Sequence, residues 1–294
     1  MTDSPLIVAV GEVLWDVFPD GARLGGAPAN FAVHCAALGA RAALVSCVGD
    51  DPLGQDAVLG VAKHKVDTQR IYVDKAHPTG KVKVTLVNGQ PSYQIVEEVA
   101  WDHILWCDEL EALAKTANAI CFGTLAQRAR NSRETIQKFV AAAREDCLCV
   151  LDVNFRQHYY SADVVRQSLA LANVLKLNDE EVPLIRSFVG GVEDLDTFLD
   201  DLRVRYHLQW VVLTLGQGGC RVFGSDGFLN VESEPQKVVD TVGAGDAFTA
   251  AFIGHLLLGA HIETCAKQAN AVGGFVVTQE GAMPSLPTSF RIFE

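Results

Sequence analysis

Asp240-Thr241-Val242-Gly243-Ala244-Gly245-Asp246 sets two glycines one residue apart, with a carboxylate directly before the apolar run Ala247-Phe248-Thr249-Ala250-Ala251-Phe252. The glycines permit tight backbone turning, and the run after them reads as a buried helix. The start of such a helix presents free N–H groups and the positive end of its dipole, which together make an anion site. Asp246 falls in the first turn. An aspartate there either caps the helix or takes a proton from a hydroxyl that attacks a phosphoryl group held at the anion site. The glycine pair leading into an almost wholly apolar helix favours the second role.

A second candidate segment lies near the N-terminus, where Gly25-Gly26-Ala27-Pro28-Ala29-Asn30 precedes a helical pattern. A turn followed by proline in the first helical turn would explain these residues structurally. Alternatively, bare glycine backbone and the Asn30 amide approach a polar ligand. Asp16, just past the first strand pattern, either accepts hydrogen bonds from sugar hydroxyls or is solvated surface. Two other phosphate motifs are absent. No glycine is followed at Walker spacing by Gly-Lys-Ser/Thr, and Phe248 stands where a dinucleotide fingerprint places its third glycine. Dehydrogenase chemistry is thereby disfavoured.

The elements that must position these residues alternate. Strand patterns cover Leu6–Val10, Ala43–Val48, Ala119–Gly123, Leu148–Val153, Val174–Leu177, Trp210–Leu215 and Gly219–Phe223. Helical patterns cover Ala29–Leu38, Leu53–His64, Arg133–Arg144, Ala162–Ala172, Asp179–Phe188, Leu195–Tyr206, Asp246–Leu258 and Glu263–Val277. Such alternation predicts an α/β fold, a mainly parallel sheet with helices on both faces. One stretch departs from it. Lys81–Val87 and Ser92–Val96 flank Asn88-Gly89, a hairpin signal. Val13–Leu24, turning at Pro19-Asp20-Gly21, could add strands to that hairpin. The expected organisation is a core of residues 1–12, 32–76 and 102–294 carrying a discontinuous β lid of residues 13–31 and 77–101.

Composition limits the partners. The 294 residues carry 24 Lys+Arg and 36 Asp+Glu, a formal net charge of −12, which argues against nucleic-acid binding through a basic surface. With 49% hydrophobic and 20% charged residues the chain is expected to be globular. No apolar run approaches a membrane span, and the first residues lack a basic region and a signal-peptide core. Eight cysteines, none in a C-x-x-C pair, read as buried hydrophobes of a reducing compartment, so a cytoplasmic location is expected. His34, His103 and His158 have no metal-ligand spacing and read as structural.

On these residues the chain resembles the ribokinase-like, or PfkB, family of carbohydrate kinases. One signature segment runs from Gly25-Gly26 through Asn30, Ala32 and Gly39 to Gly49, the other from Asp240 through Gly243-Ala244-Gly245-Asp246 to Phe252. Gly11–Phe18 and Leu24–Phe31 are most similar to bacterial fructokinases. The resemblance implies ATP-dependent phosphorylation of a sugar's primary hydroxyl, with fructose 6-phosphate as the expected product. It implies Asp246 as the base and the amides of Gly243, Ala244 and Gly245 as the anion hole. Asp16, Gly26 and Asn30 would hold the sugar. Asn178 and Glu181 match an N-x-x-E element that organises Mg²⁺ and phosphates, largely through water. Thr214, Gly216 and Gly219 match the strand and loop beside the nucleotide, and Asn270 a position near the adenine. Asp240 and the Val242 carbonyl match a monovalent-cation site, commonly potassium. Asp152-Val153-Asn154-Phe155-Arg156 fits a D-x-N-x-R element in which Arg156 faces the phosphates, although an Arg pairing the neighbouring Asp would also account for it. Tyr93 could close over the sugar or pack within the lid, and Trp101-Asp102 could position its hinge. Other acceptors (2-keto-3-deoxygluconate, ribose, tagatose or a nucleoside), or a non-catalytic sugar-binding role, are the alternatives. Exposed lid edges suggest a homodimer.

Overall fold

The computed structural model describes residues 4–19, 21–87 and 90–294. Strands β1 (Leu6–Val10), β2 (Leu14–Phe18) and β3 (Gly21–Gly25) are followed by helix α1 (Ala27–Ala37), β4 (Arg41–Gly49), α2 (Pro52–Ala62) and β5 (Ile71–Asp74). Next come β6 (Gly80–Val87), β7 (Gln90–Ile95), α3 (Asp108–Ala114), β8 (Ala119–Phe122) and α4 (Arg130–Ala141). The rest alternates: β9 (Leu148–Asp152), α5 (Ala162–Leu171), β10 (Val174–Asn178), α6 (Val182–Val189), α7 (Leu195–Arg205) and β11 (Trp210–Thr214). The hairpin β12 (Cys220–Gly224) and β13 (Gly227–Val231) precedes two long helices, α8 (Ala244–Leu257) and α9 (Ile262–Val276).

The main sheet has the order β13-β12-β11-β10-β9-β8-β1-β4-β5. From β11 to β5 every pairing is parallel, and β12 and β13 add an antiparallel edge. The strands are apolar on both sides because both faces are covered. In β1, Ile7 and Ala9 join one core with Phe31 and Phe252, while Val8 and Val10 join the other with Ile136 and Phe139. That is the period-2 alternation of a strand buried on both faces. Helix α8 is buried along most of its length, from Asp246 to Gly254, so its apolar residues need no polar face.

Strand β1 lies between β4 and β8, so chain order reverses beside it. Crevices at the carboxyl ends of strands next to such a reversal are where open α/β sheets bind ligands.

A separate four-stranded sheet, β3-β2-β6-β7, forms the lid. The expected turn residues Asp20 and Asn88-Gly89 lie outside the described residues. The first lid segment ends at Gly25, earlier than the expected residue 31: residues 27–31 begin α1, whose Pro28 to Cys35 are buried in the core. Three short elements, β5, α3 and β13, carry too few residues to show a period and are not visible in the apolar pattern. Helix α6 starts at Val182, three residues later than the pattern suggests, because residues 178–181 form a turn of their own.

The lid is tied down at its root. Trp101 is fully buried, and the Arg128 guanidinium lies 3.9 Å from its ring centroid and 4.7 Å from that of Tyr159. Arg128 donates to both Asp102 oxygens at 2.8 Å and to the Val96 carbonyl at 2.6 Å. Trp101-Asp102 thus packs against Arg128 where the lid joins the core. All eight cysteines are free thiols, seven of them buried. His34 donates to the Ala282 carbonyl through Nε2 at 2.9 Å, and burial pushes its pKa down to about 4, which keeps it neutral.

Candidate active site

The two glycine segments meet in space. The Asn30 Nδ2 amide donates to Asp246 Oδ2 at 2.7 Å, a buried bond across 216 residues of chain. Asn30 is presented by the first turn of α1 and Asp246 by the first turn of α8. Asn30 Oδ1 is buried without a hydrogen-bond partner among the described residues.

Two backbone positions require glycine. Gly26 (φ 107°) is the residue before α1, and a Cβ there would lie 2.6 Å from the Glu12 carbonyl oxygen. Gly243 (φ 79°) precedes α8 in the left-handed region, and a Cβ would lie 2.4 Å from the Ala282 carbonyl oxygen. The second glycine lets α8 start abruptly. The Ala244 amide makes a long bond to the Thr241 carbonyl, 3.4 Å, and no acceptor among the described residues meets the amides of Gly243, Gly245 or Asp246. These are the unsatisfied first-turn donors of a helix.

Burial raises the Asp246 carboxyl to about 7, with Asp152 adding to the effect and the Asn30 bond, Lys176 and Arg156 opposing it. Such a value suits a group that takes up a proton near neutral pH. Glu12, directly after β1, is also buried and raised to about 7, again by burial first. Sequence reasoning assigned Glu12 no role. It lines a small, partly open pocket of ≈ 20 Å³ with Ala27, Thr124, Asp152 and Asp246, enough for about one water molecule.

Lys176 also escaped sequence reasoning. It lies in β10 opposite Asp152 of β9 in the parallel register, and its Nζ is 3.2 Å from Asp152 Oδ1. A Cβ on Gly245 would sit 3.2 Å from that Nζ, so the ammonium lies against the first turn of α8. Burial works against its charge, but Asp152, Glu181 and Asp246 outweigh it and hold its pKa above the ordinary lysine value. The one signal in the sequence is a lysine at the centre of an apolar strand. Thr249 Oγ1 also reaches Asp152, at 3.3 Å.

Asp152 is therefore paired with Lys176, and the alternative partner Arg156 is left exposed. Arg156 nonetheless faces the site, since its charge lowers the carboxyls of Glu12, Asp16 and Asp246. Asp16, on β2 of the lid, is raised by partial burial. Its Oδ2 would lie 2.7 Å from a Cβ on Gly25. Next to Arg156, Gln157 donates to the Tyr93 carbonyl at 2.6 Å, and the Tyr159 hydroxyl donates to the Ile95 carbonyl at 3.2 Å. The Arg156 loop thus touches the lid. The Tyr93 side chain is half exposed.

Asn178 and Glu181 hold each other. The Asn178 amide donates to Glu181 Oε2 at 2.8 Å, the Glu181 amide to Asn178 Oδ1 at 2.9 Å, and the Phe155 amide to Glu181 Oε1 at 3.1 Å. Burial raises the Glu181 carboxyl, with Asp152 adding to it. Asp240 accepts from the amides of Val242 (3.0 Å) and Gly281 (3.0 Å), fixing the loop before α8.

The remaining predicted residues lie toward the β11-β12-β13 edge of the main sheet. Thr214 ends β11, Gly216 begins the following turn, and Gly219 ends it. Asn270 of α9 is buried and donates to the carbonyls of Val231 (3.0 Å) and Glu232 (3.4 Å). It lines a cavity of ≈ 720 Å³ with Ser233, Gln236, Ala271 and Phe275, the size range of a small-molecule site.

An α/β sheet with a β lid brings together a free helix N-terminus and a buried carboxylate, an arrangement suited to phosphoryl transfer. Residues 12–289 match the pfkB family carbohydrate kinase profile, and the chain belongs to that family. It is a carbohydrate kinase. It is 29% identical to a fructokinase from Klebsiella pneumoniae, over 96% of each chain. A sugar kinase from Pyrococcus horikoshii, solved in complex with ATP, superposes with a TM-score of 0.82 at 29% identity, covering 96% of this chain and 95% of the other. A fructokinase from Vibrio cholerae O395, solved with fructose, ADP and calcium ion, gives 0.81 at 26% identity over 96% of each chain; a double mutant of it was solved with fructose, ADP and potassium ion. Among the described residues no helix is long and apolar enough to cross a membrane.

Proposed function

We propose that the protein transfers the γ-phosphoryl group of ATP to the primary hydroxyl of D-fructose, giving fructose 6-phosphate. The observation that carries this reading is the buried Asn30–Asp246 contact beside the free amides of α8. The sugar lies under the lid, with Asp16, the Gly26 backbone and Asn30 Oδ1 as its hydrogen-bonding partners. Asp246 takes the proton as the sugar oxygen attacks the γ-phosphorus in line. The new O–P bond forms as the bond to the β-phosphate bridging oxygen breaks, and ADP leaves. The amides of Gly243, Ala244 and Gly245 receive the charge on the transferring group, the Ala244 amide by giving up its long bond to Thr241. Lys176 and Arg156 add positive potential from either side. The lid excludes water, which would otherwise compete as acceptor. Adenine binds in the cavity lined by Asn270, with Thr214, Gly216 and Gly219 along the phosphates.

The donor set fits Mg²⁺. Asp152, Glu181 and Asp246 surround one ammonium, Lys176, leaving an acidic surplus of oxygen donors. Glu181, fixed with Asn178, would hold the ion through water, and the ion would screen the phosphates as charge moves to ADP. Asp240 and the Val242 carbonyl are the proposed monovalent-cation ligands, supported by the potassium ion in the Vibrio double mutant. The location proposed is the cytoplasm, consistent with eight free thiols.

A coupled ADP assay across fructose, ribose, tagatose, 2-keto-3-deoxygluconate and a nucleoside tests the acceptor. Fructose is expected to give the highest kcat/KM. A different best acceptor would replace fructose, and no sugar-dependent ADP release would leave a sugar-binding role.

The pH profile tests the base. With Asp246 at about 7, kcat/KM should fall tenfold per unit below that pH and level above it, because only the carboxylate can accept the proton. The Asn30 bond lowers this pKa, so Asn30→Leu should move the limb to higher pH. A profile flat from pH 5 to 8 would remove Asp246 as base.

The lid edges β3 and β7 each pair on one side alone, and we propose a homodimer formed there. Light scattering should give about twice the 31.7 kDa chain mass; a monomer at assay concentration would refute it.

A further inference from the structure

At the root of the lid, away from the residues around Asp246, two histidines and a glutamate converge. His77 lies on the segment leading into β6, Glu98 follows β7, and His103 ends the one-turn helix Ala100–His103. One ligand atom from each lies within 4.8 Å of the others. We propose that His77, Glu98 and His103 form a binding site for a zinc-like transition-metal dication.

Three observations support a built site. Behind His77, Nδ1 bonds Asp74 Oδ2 at 2.7 Å. That contact fixes the ring and leaves Nε2 as the outward ligand, the carboxylate–histidine arrangement that supports metal-bound imidazoles. His103 Nε2 is buried and has no hydrogen-bond partner among the described residues. Its nearest carboxylate oxygen, Glu98 Oε2, stands 3.9 Å away, too far for a hydrogen bond but close enough to share an ion. Glu98 is otherwise free in solvent, its side chain 85% exposed.

The chemistry selects the ion. Two imidazole nitrogens and one carboxylate oxygen, with a fourth position open to water, suit Zn²⁺ or Co²⁺ rather than Mg²⁺ or Ca²⁺, which take oxygen ligands. Ligand distances of about 2.0–2.2 Å require Glu98 to swing inward. They also require the imidazoles to splay from their stack, whose centroids are 3.7 Å apart at 12°. The metal-bound tautomer of His103 carries its proton on Nδ1, so the Asn131 amide, 3.3 Å away, must present its oxygen there. That is an end-for-end turn of a group of unchanged shape. Because His77 precedes the β6–β7 hairpin and Glu98 follows it, an ion at this site staples together the chain passages into and out of the lid.

Calorimetric titration of the untagged, chelator-stripped full chain with ZnCl₂ tests the site. One equivalent should bind with micromolar or tighter affinity, and His77→Ala with His103→Ala should weaken it by at least about tenfold. Glu98→Gln should weaken it less. Turnover with MgATP and sugar in the absence of zinc should match the wild type in both variants, showing that they fold. Co²⁺ in place of zinc should give visible d–d bands without a thiolate charge-transfer band. Absence of stoichiometric binding, binding unchanged in the double histidine variant, or a thiolate band assigning the ion to cysteines would each overturn the proposal.

Discussion

Asp246→Asn is expected to lower kcat by on the order of 10²–10⁴-fold, the range that positioned proton transfer supplies, while leaving KM for the sugar close to wild type. The amide has the shape of the carboxyl and can still meet Asn30 Nδ2, so the cleft keeps its form. What disappears is the proton acceptor, and with it the acid limb near pH 7. Stability should move the other way. The folded carboxyl is raised by burial from 3.8 to about 7, so the folded state binds this proton more tightly than the unfolded chain. Its contribution is therefore fully present below pH 4 and is lost as pH rises through 7. A neutral amide escapes that loss, so the variant should unfold at equal or higher denaturant concentration at pH 8. Retention of near-wild-type turnover would show that another group takes the proton. Loss of both turnover and stability would mean that Asp246 serves the fold.

Lys176→Met should carry the other large effect, for two separable reasons. Lys176 and Asp152 are both under a tenth exposed, and removing one member of a buried ion pair costs about 3–5 kcal/mol because the other charge stays buried alone. Chemical denaturation should show that loss. Pairing it with Asp152→Asn removes the stranded charge and should recover most of the stability. Turnover should not recover with it, remaining at least about 10²-fold down, the scale on which one preorganised donor to a transition-state charge acts. If the double variant regained both, Lys176 would be only the counter-ion of Asp152. If it regained neither, the strand pairing itself would depend on the ion pair.

These residues mark how far the sequence could be read. Gly243-Ala244-Gly245-Asp246 is legible because its requirements are local: a left-handed glycine, a sudden helix start and a carboxylate in the first turn all fall within seven residues. The same holds for Gly26 and for the alternating strands and helices, whose periods are set by side-chain direction. Lys176 and Glu12 were not legible as site residues. Lys176 is one polar residue in an apolar strand, and its meaning comes from β9, where the register puts Asp152 opposite it. Glu12 acquires its raised pKa from burial, in a place formed by residues as distant as Ala27, Thr124, Asp152 and Asp246. The histidines of the lid root show no metal-ligand spacing because their three segments meet only when the lid folds back on the core.

By itself, then, the sequence determined the α/β class, the lid and the abrupt, glycine-led start of α8, which depend on backbone conformation and short-range periodicity. The tertiary structure alone decided that Asn30 touches Asp246 across 216 residues, that Asp152 pairs with Lys176 and not with Arg156, and that a buried cation lies beside the free amides. Those outcomes follow from strand order and register, which rest on long-range packing. In the low-dielectric space so formed, distance and burial, more than residue type, set which groups hold charge. The net charge of −12 is a sum over the whole chain; the local balance sets Lys176, Arg156 and the first turn of α8 against the buried carboxyls of Glu12, Asp152, Glu181 and Asp246.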